Sequence, residues 1–231
     1  MMFLEKKCPL CGSDNSKIIH SGYRPEKIDI KSMNCTSTDF GLFTNIKKCR
    51  ECGMIFQSPV LTEESLIELY KNVEDQIYLE KNEERKLNFS QYVKLIKQYL
   101  SKSSHLLEIG SYTGVFLEML NREGIGTAGL ELSDWARQIA KETGAEVYGQ
   151  PLSQLYEELK NKYDGVCLWD VIEHYIDPLK ELSYMNKVLK ENGYLFISTL
   201  DISSFTAKIL GKKYPFLMLM HTVYFSKKTL K

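Results

Sequence analysis

Four cysteines have the residue type and spacing of ligands for one metal ion. Cys8 and Cys11 form one Cys-x-x-Cys-Gly segment, Cys49 and Cys52 form a second, and 37 residues (12–48) separate them. Two intervening residues let both thiolates of a pair reach the same ion, and two pairs complete a tetrahedral set. The pattern predicts structural zinc, since a Cys-x-x-Cys redox site would need only one pair.

A second chemical signal is a glycine turn accompanied by acids. The apolar run Leu106–Ile109 includes Glu108 and is followed by Gly110 and Gly114, after which a helical pattern begins. This order predicts a buried strand, a tight turn and a helix, and in an open α/β sheet ligands bind at such a turn. Glu131 ends the next apolar run, 21 residues after Gly110. An acid at that distance can accept hydrogen bonds from ribose hydroxyls.

The spacing of the glycines indicates which nucleotide would fit. A dinucleotide site has the pattern Gly-x-Gly-x-x-Gly, because a pyrophosphate must approach the turn. This chain has Glu-x-Gly-x-x-x-Gly, and a carboxylate beside the turn repels phosphate but favours a cationic ligand. S-adenosylmethionine is such a ligand, since it has an adenosine, a sulfonium and an amino group but no phosphate. We therefore expect this cofactor rather than a nicotinamide dinucleotide.

The elements that must position these residues alternate between strands and helices from residue 105 onward. Ser133, Ser153 and Asp177 are expected to cap helices, and Gly144 is expected to end one. Five strands are predicted, over residues 105–110, 126–132, 145–149, 165–171 and 194–199. The alternation predicts an α/β fold with a Rossmann-like, doubly wound and mostly parallel sheet.

The chain is predicted to divide into three regions. Residues 1–58 would form a small zinc ribbon, with hairpin strands over Ser16–His20 and Leu42–Ile46. Residues 59–104 would form a helical linker that caps the core. Residues 105–231 would form the α/β core itself.

The core motifs resemble those of class I S-adenosylmethionine-dependent methyltransferases. The glycine turn is similar to their first motif. Leu168–Pro178 is similar to the fourth-strand motif of the branch that includes ubiquinone-type O-methyltransferases and many sugar and small-molecule methyltransferases. The family fold adds a helix and a hairpin after the fifth strand, whereas this chain stops where that helix would begin, so the last hairpin is expected to be missing. An uncovered sheet edge would favour a homodimer or another partner there.

The resemblance also implies roles for particular residues. The glycine turn would hold the methionine end of the cofactor, Glu131 would hold the ribose, and Leu132 would flank the adenine. Gln150 and Leu152 would lie near the adenine, although the family often has an acid where this chain has Gln150. The implied cofactor-binding residues are Glu108, Gly110, Ser111, Tyr112, Gly114, Glu131, Leu132, Gln150, Leu152, Trp169 and Asp170.

His174 is the first candidate for a catalytic side chain. It lies just beyond the fourth strand, and a histidine can take the proton of a hydroxyl acceptor at neutral pH. A capping role or a bond to the cofactor is the alternative. His221 and Tyr224 are the next candidates, within the apolar segment Tyr214–Phe225, which could be core, a lid over the acceptor or a partner surface.

Composition narrows the classes of function. Lys plus Arg equals Asp plus Glu at 30 each, so a nucleic-acid partner is not expected. No segment offers the roughly 20 apolar residues of a membrane span, and the amino terminus lacks a signal-peptide core, so the cytoplasm is expected. The sequence predicts a methyltransferase for a small-molecule or carbohydrate acceptor, with O-methylation favoured. The alternatives are a zinc-ribbon binding module with a catalytically idle core and, less favoured, a NAD-dependent Rossmann oxidoreductase.

Overall fold

The computed structural model describes residues 2–38 and 40–231, and its amino-terminal region is built of short antiparallel strands. These strands are β1 (Phe3–Leu4), β2 (Ser16–His20), β3 (Ile46–Cys49), β4 (Ile55–Gln57) and β5 (Val60–Leu61). β2, β3 and β4 pair in sequence order, and β1 pairs with β5. The pairing holds the two cysteine segments at one end, because Ser16 lies opposite Cys49.

The strand predicted over Ser16–His20 is confirmed, and the one predicted over Leu42–Ile46 is wrong. The partner strand begins only at Ile46, where the predicted one was to end. The backbone before it bonds to a loop instead: the Phe43 carbonyl accepts from the Tyr23 amide. The Asn45 side chain also accepts from the backbone of this loop. These contacts replace a ladder over residues 42–45.

Three helices connect the ribbon to the core. They are α1 (Glu63–Lys71), α2 (Gln76–Glu80) and α3 (Asn82–Ile96). Thr62 caps α1, since its hydroxyl accepts from the Ser65 amide, and Glu63 and Glu64 follow in the first turn, where acids complement the helix dipole. α3 packs on the core through Val93 and Ile96.

The core is a five-stranded parallel sheet with helices between the strands, as predicted. Its elements are β6 (His105–Ile109), α4 (Val115–Arg122), β7 (Gly126–Leu130), α5 (Asp134–Glu142), β8 (Glu146–Tyr148), α6 (Leu152–Leu155), β9 (Tyr163–Trp169), α7 (Pro178–Val188) and β10 (Leu189–Ser198). The strand order is β10-β9-β6-β7-β8. After β6 the chain adds β7 and β8 on one side of that strand, and it then crosses over to add β9 and β10 on the other side. Ligands of doubly wound sheets bind at such a switch point.

Two of the three predicted helix caps are confirmed. The Ser133 hydroxyl accepts from the Ala136 amide, and the Asp177 carboxylate accepts from the Lys180 amide. The cap predicted at Ser153 is wrong, because α6 already begins at Leu152 and the capping position is held by a proline. That position therefore has no side-chain cap.

The chain after the core returns to the amino-terminal sheet. α8 (Phe205–Leu210) is followed by β11 (Val223–Tyr224), which pairs antiparallel with β4. Most of the apolar segment before β11 is buried, with Leu217 packed beside Phe43 and Ile46 of the ribbon. In the described residues it therefore serves as core between ribbon and sheet.

β10 is one of the two edge strands of the core sheet, the other being β8, and it pairs with β9. Tyr194 and Leu195 on this strand are 43% and 38% exposed. A homodimer or another partner at this edge stays a prediction. No helix among residues 2–38 and 40–231 is long and apolar enough to cross a bilayer.

Candidate functional site

A cavity of about 360 Å³ lies at the carboxyl ends of β6, β7 and β9. Helix α1 and the first turn of α7 complete its wall. The structure brings together ten of the predicted cofactor and catalytic residues on this wall. They are Glu108, Gly110, Ser111, Tyr112, Glu131, Leu132, Leu152, Trp169, Asp170 and His174.

Four of the predicted residues lie outside the wall that the structure describes, namely Gly114, Gln150, His221 and Tyr224. Gly114 has a positive φ of 76°, and an added Cβ would lie 3.0 Å from the Cβ of Ala140. A glycine is thus required at this position because α4 packs closely against α5. Gln150 is exposed at the surface.

His221 and Tyr224 are buried behind the wall. The His221 ring lies at right angles to that of His174, with centroids 4.8 Å apart. Its Nδ1 bonds to the Phe216 carbonyl, and burial lowers the pKa of His221 to about 4. The Tyr224 hydroxyl donates to the Met218 carbonyl. The structure does not bring these two side chains to the cavity.

Three backbone N–H groups of the glycine turn are already occupied. The amides of Gly110 and Ser111 both donate to the Leu130 carbonyl, and the Tyr112 amide donates to the Glu131 carboxylate at 2.8 Å. A pyrophosphate could not bond to these three amides, which agrees with the prediction from the glycine spacing.

Two buried carboxylates face this turn. The Glu131 oxygens accept from the amides of Tyr112 and Ser133, and these bonds fix the orientation of the carboxylate. Glu108 is 3% exposed, and its Oε2 has no hydrogen-bond partner among the described residues. Burial, and secondarily the nearby Glu131, raises the pKa of Glu108 well above its ordinary value. The site is thus built to receive hydrogen-bond donors or positive charge.

Gly110 allows a testable comparison with a second left-handed glycine. At Gly110, with φ +73°, an added Cβ would lie 2.7 Å from Cγ2 of Val171; at Gly144, with φ +84°, nothing lies within 4 Å. Gly144→Ala should lose about 1–2 kcal/mol of unfolding free energy from backbone strain alone. Gly110→Ala should lose more, because Val171 must also move. Urea unfolding measures both, and equal losses would contradict a close approach at the turn.

A tyrosine–histidine pair lines another part of the cavity wall. The Tyr70 hydroxyl is 2.7 Å from Nδ1 of His174, and both side chains line the cavity. Burial lowers the pKa of His174 well below its ordinary value, and His221 lowers it further, whereas the Asp170 carbonyl raises it. The ring is therefore neutral at physiological pH, and its Nδ1 can accept a hydrogen bond from the Tyr70 hydroxyl.

A helical cap over residues 59–104 was predicted, but the side chains that α1 and the ribbon contribute to this wall were not among the predicted site residues. Residues spaced three and four apart present one face of α1 to the cavity, namely Glu63, Leu66, Ile67 and Tyr70. Met33 and Cys35 reach the same cavity from the segment between the two cysteine pairs. The periodicity of α1 is visible in the sequence, but nothing there says which element its face meets.

The four predicted metal ligands converge outside the cavity wall. Sulfur atoms of Cys8 and Cys52 are 3.5 Å apart, those of Cys11 and Cys49 are 3.6 Å apart, and all four lie within 4.8 Å of one another. Four sulfurs at about 2.3 Å from one zinc ion would be about 3.8 Å apart. The donor set and its dimensions therefore fit a tetrahedral thiolate site.

A second group of ligand-type side chains, Glu173, His174 and His221, also lies within 4.8 Å. Hydrogen bonds within the chain already occupy part of this group. Tyr70 bonds to His174, Phe216 to His221, and Thr199 donates to Glu173. The group thus also forms a hydrogen-bonded support behind the cavity.

Comparison with known protein families places the core among methyltransferases. A family model described as a methyltransferase domain matches residues 80–231. A ubiquinone biosynthesis O-methyltransferase of Vibrio cholerae serotype O1 is 32% identical over 114 residues, which cover 46% of this chain and 46% of that protein. Its counterpart in Nitrosomonas europaea is 28% identical over 117 residues, with 47% and 50% covered. The chain spans about half the length of these curated relatives.

Solved structures share the fold. A SAM-dependent methyltransferase of Archaeoglobus fulgidus superposes with a TM-score of 0.56 at 22% identity, covering 68% of this chain and 71% of that one. A SAM-dependent methyltransferase of Thermotoga maritima, described as a possible histamine N-methyltransferase, gives 0.52 at 24% identity, with 66% and 71% covered. At these identities the likeness establishes the architecture of the core.

Proposed function

The chain belongs to the methyltransferase-domain family, and from this premise we propose that it transfers a methyl group from S-adenosylmethionine to an oxygen of a small-molecule or carbohydrate acceptor. One observation carries the choice of cofactor. Two buried carboxylates, Glu108 and Glu131, face a glycine turn, and one oxygen of Glu108 has no partner among the described residues. Such a site repels a diphosphate and suits a ligand with an ammonium group and ribose hydroxyls.

Different residues of the cavity would contact different parts of the cofactor. Glu131, held by two backbone amides, would accept hydrogen bonds from the ribose. Glu108 and the glycine turn would hold the methionine end, and Leu132 and Leu152 would flank the adenine. When bound, S-adenosylmethionine supplies an electrophilic methyl group on its sulfonium. Positioning donor and acceptor together supplies much of the rate, up to about 7–11 kcal/mol of the barrier.

The Tyr70–His174 pair would take the proton of an acceptor hydroxyl. Tyr70 borders the cavity and bonds to Nδ1 of His174, so it can pass its own proton to the ring as it accepts one from the acceptor. Burial keeps the His174 ring neutral, but it also makes the ring a weaker base and raises the pKa of Tyr70. The proton would therefore move only as the acceptor oxygen gains its methyl group and its hydroxyl becomes acidic. The ring would return the proton to solvent after the methyl transfer.

Tyr70→Phe tests this pair. We expect the initial rate of methyl transfer to fall about 10- to 100-fold, because the phenyl ring cannot relay a proton, while cofactor affinity stays unchanged. The matched control is Tyr99→Phe, since Tyr99 is 50% exposed and lies outside the cavity wall. An unchanged rate in Tyr70→Phe would remove the pair from the reaction.

The four cysteines would hold a structural zinc ion. All four ligand positions are thiolates, so no coordination position is left for a substrate. The role would be to fix the two cysteine segments and the long segment between them. Metal analysis of the purified protein tests this directly, with one zinc per chain expected.

The activity itself is tested with methyl-labelled S-adenosylmethionine and a panel of catechols and sugars. Mass spectrometry should detect an acceptor that has gained one methyl group, together with S-adenosylhomocysteine. Cofactor binding with no methylated product from any acceptor would support the idle binding module instead.

A further inference from the structure

We propose that the part of the cavity between α1 and α7 binds a protonated amino group of the acceptor, which makes the substrate a hydroxylated amine. This inference rests on the proposed function and specifies its substrate class. The wall here is separate from the cofactor carboxylates, because it comes from two helices rather than from the ends of the sheet strands. Its charged residues are Glu63, Asp177, Lys180 and Glu181.

Glu181 is the residue whose burial and lack of a partner indicate a ligand. It is 9% exposed, it lines the cavity, and its carboxylate has no hydrogen-bond donor among the described residues. Burial, followed by the like charge of Glu63, raises the pKa of Glu181 to about 7. A buried carboxylate without a partner is satisfied when a ligand brings N–H groups and positive charge.

The neighbouring charged groups do not satisfy Glu181. The Asp177 carboxylate accepts from the Lys180 amide and so caps α7. The Lys180 ammonium is exposed and lies 6.0 Å from the Tyr184 ring centroid. Glu63 is an exposed acid at the start of α1. A second ammonium, that of Lys6, donates to the Ile176 carbonyl and interacts with Asp177. Glu63 and Glu181 therefore share the single ammonium of Lys180, and this excess of acid disfavours phosphorylated or carboxylated acceptors.

The same wall holds the groups that would act on the acceptor's hydroxyl. Glu63 and Tyr70 share one face of α1, and His174 precedes α7 by four residues. A single small molecule could therefore place a hydroxyl at Tyr70 and an amino group at Glu181. Amino sugars and hydroxylated aromatic amines have both groups.

Two matched series of compounds test the inference by calorimetry, in the presence of saturating S-adenosylhomocysteine. One compares dopamine, 4-ethylcatechol and 3,4-dihydroxyphenylacetate, and the other compares glucosamine with glucose. In at least one series the amine should bind at least 10-fold more tightly than its neutral analogue, and the carboxylate should be the weakest ligand of its series. Glu181→Gln should reduce the affinity for the amine about 10-fold and leave that for the neutral compound unchanged.

The controls separate this inference from the proposed function. Glu63→Gln, at an exposed position, should weaken amine binding to a smaller extent. If Glu181→Gln does not fold, the affinity of Glu63→Gln for the amine tests the inference instead, and an unchanged affinity overturns it. Glu142→Gln, an exposed acid on α5, should change nothing. If S-adenosylhomocysteine binds but the amines bind no better than their neutral analogues in both series, the inference is overturned and the proposed function stands. If S-adenosylhomocysteine does not bind, the proposed function fails first.

Discussion

Glu108→Gln should make the protein more stable and at the same time weaken its binding of S-adenosylmethionine. In the free protein the Glu108 carboxylate is 3% exposed, lacks a partner for Oε2 and lies near the second acid Glu131. Removing the ionisable group should raise the unfolding free energy by about 1–3 kcal/mol at neutral pH, because the folded protein no longer has to keep this carboxyl protonated or bury its charge. The same change removes a partner for the cofactor's ammonium, so affinity should fall about 10- to 100-fold, or about 1.4–2.8 kcal/mol.

The stability gain should also depend on pH with a definite sign. The folded pKa of Glu108 is raised, so the folded state holds a proton that the unfolded chain releases above its ordinary pKa of 4.5. The wild-type protein therefore loses stability as pH rises from about 4.5 through the raised folded value. Glu108→Gln lacks this loss, so its advantage should grow with pH.

Thermal unfolding at several pH values and calorimetry with S-adenosylmethionine measure the two effects. Glu142→Gln is the matched control, because this exposed acid has no role in the cavity. A variant that loses stability and affinity together would mean that Glu108 only supports the fold, and it would remove the electrostatic argument for the cofactor.

Removal of zinc should abolish cofactor binding, although the proposed metal site is not part of the cavity. Cys8 and Cys49 are 2% and 1% exposed and pack in the same hydrophobic core as Leu107 and Leu152. The segment between the cysteine pairs also contributes Met33 to the cavity wall. Zinc binding by four thiolates is worth about 10–16 kcal/mol, comparable to the whole stability of a domain.

Cys49→Ser, or treatment with a chelator, tests this coupling. We expect the melting temperature to fall by more than about 10 °C, and heat of binding with S-adenosylhomocysteine to disappear. Arg50→Ala is the control, since Arg50 lies between Cys49 and Cys52 but has an exposed side chain that belongs neither to the four-cysteine group nor to the cavity wall. A zinc-free protein that still bound the cofactor normally would show that the ribbon is energetically independent of the core.

The parts of the fold that follow from local patterns could be predicted from the sequence. The parallel sheet came from apolar runs alternating with helical periodicity, and the caps at Ser133 and Asp177 came from their side-chain chemistry. The cysteine group came from spacing alone. Each of these signals lies within a few residues of the feature that it determines.

The contacts that the sequence could not give are between distant segments. β11 pairs with β4, more than 160 residues earlier in the chain, and no pattern within Val223–Tyr224 names that partner. Tyr70 was missed as a site residue because its importance comes from His174, which lies 104 residues away. His221 was proposed for catalysis from its residue type, yet packing places it behind His174.

Calorimetric titration of the purified protein with S-adenosylhomocysteine and, separately, with NAD⁺ distinguishes the two classes of ligand. The acidic glycine turn, in which the amides of Gly110, Ser111 and Tyr112 are already bonded to Leu130 and Glu131, should accept a nucleoside bearing an ammonium group and not a diphosphate. We expect one site per chain for S-adenosylhomocysteine and no binding heat with NAD⁺. Binding of NAD⁺ in the same cavity, or no binding of S-adenosylhomocysteine to the zinc-loaded protein, would contradict it.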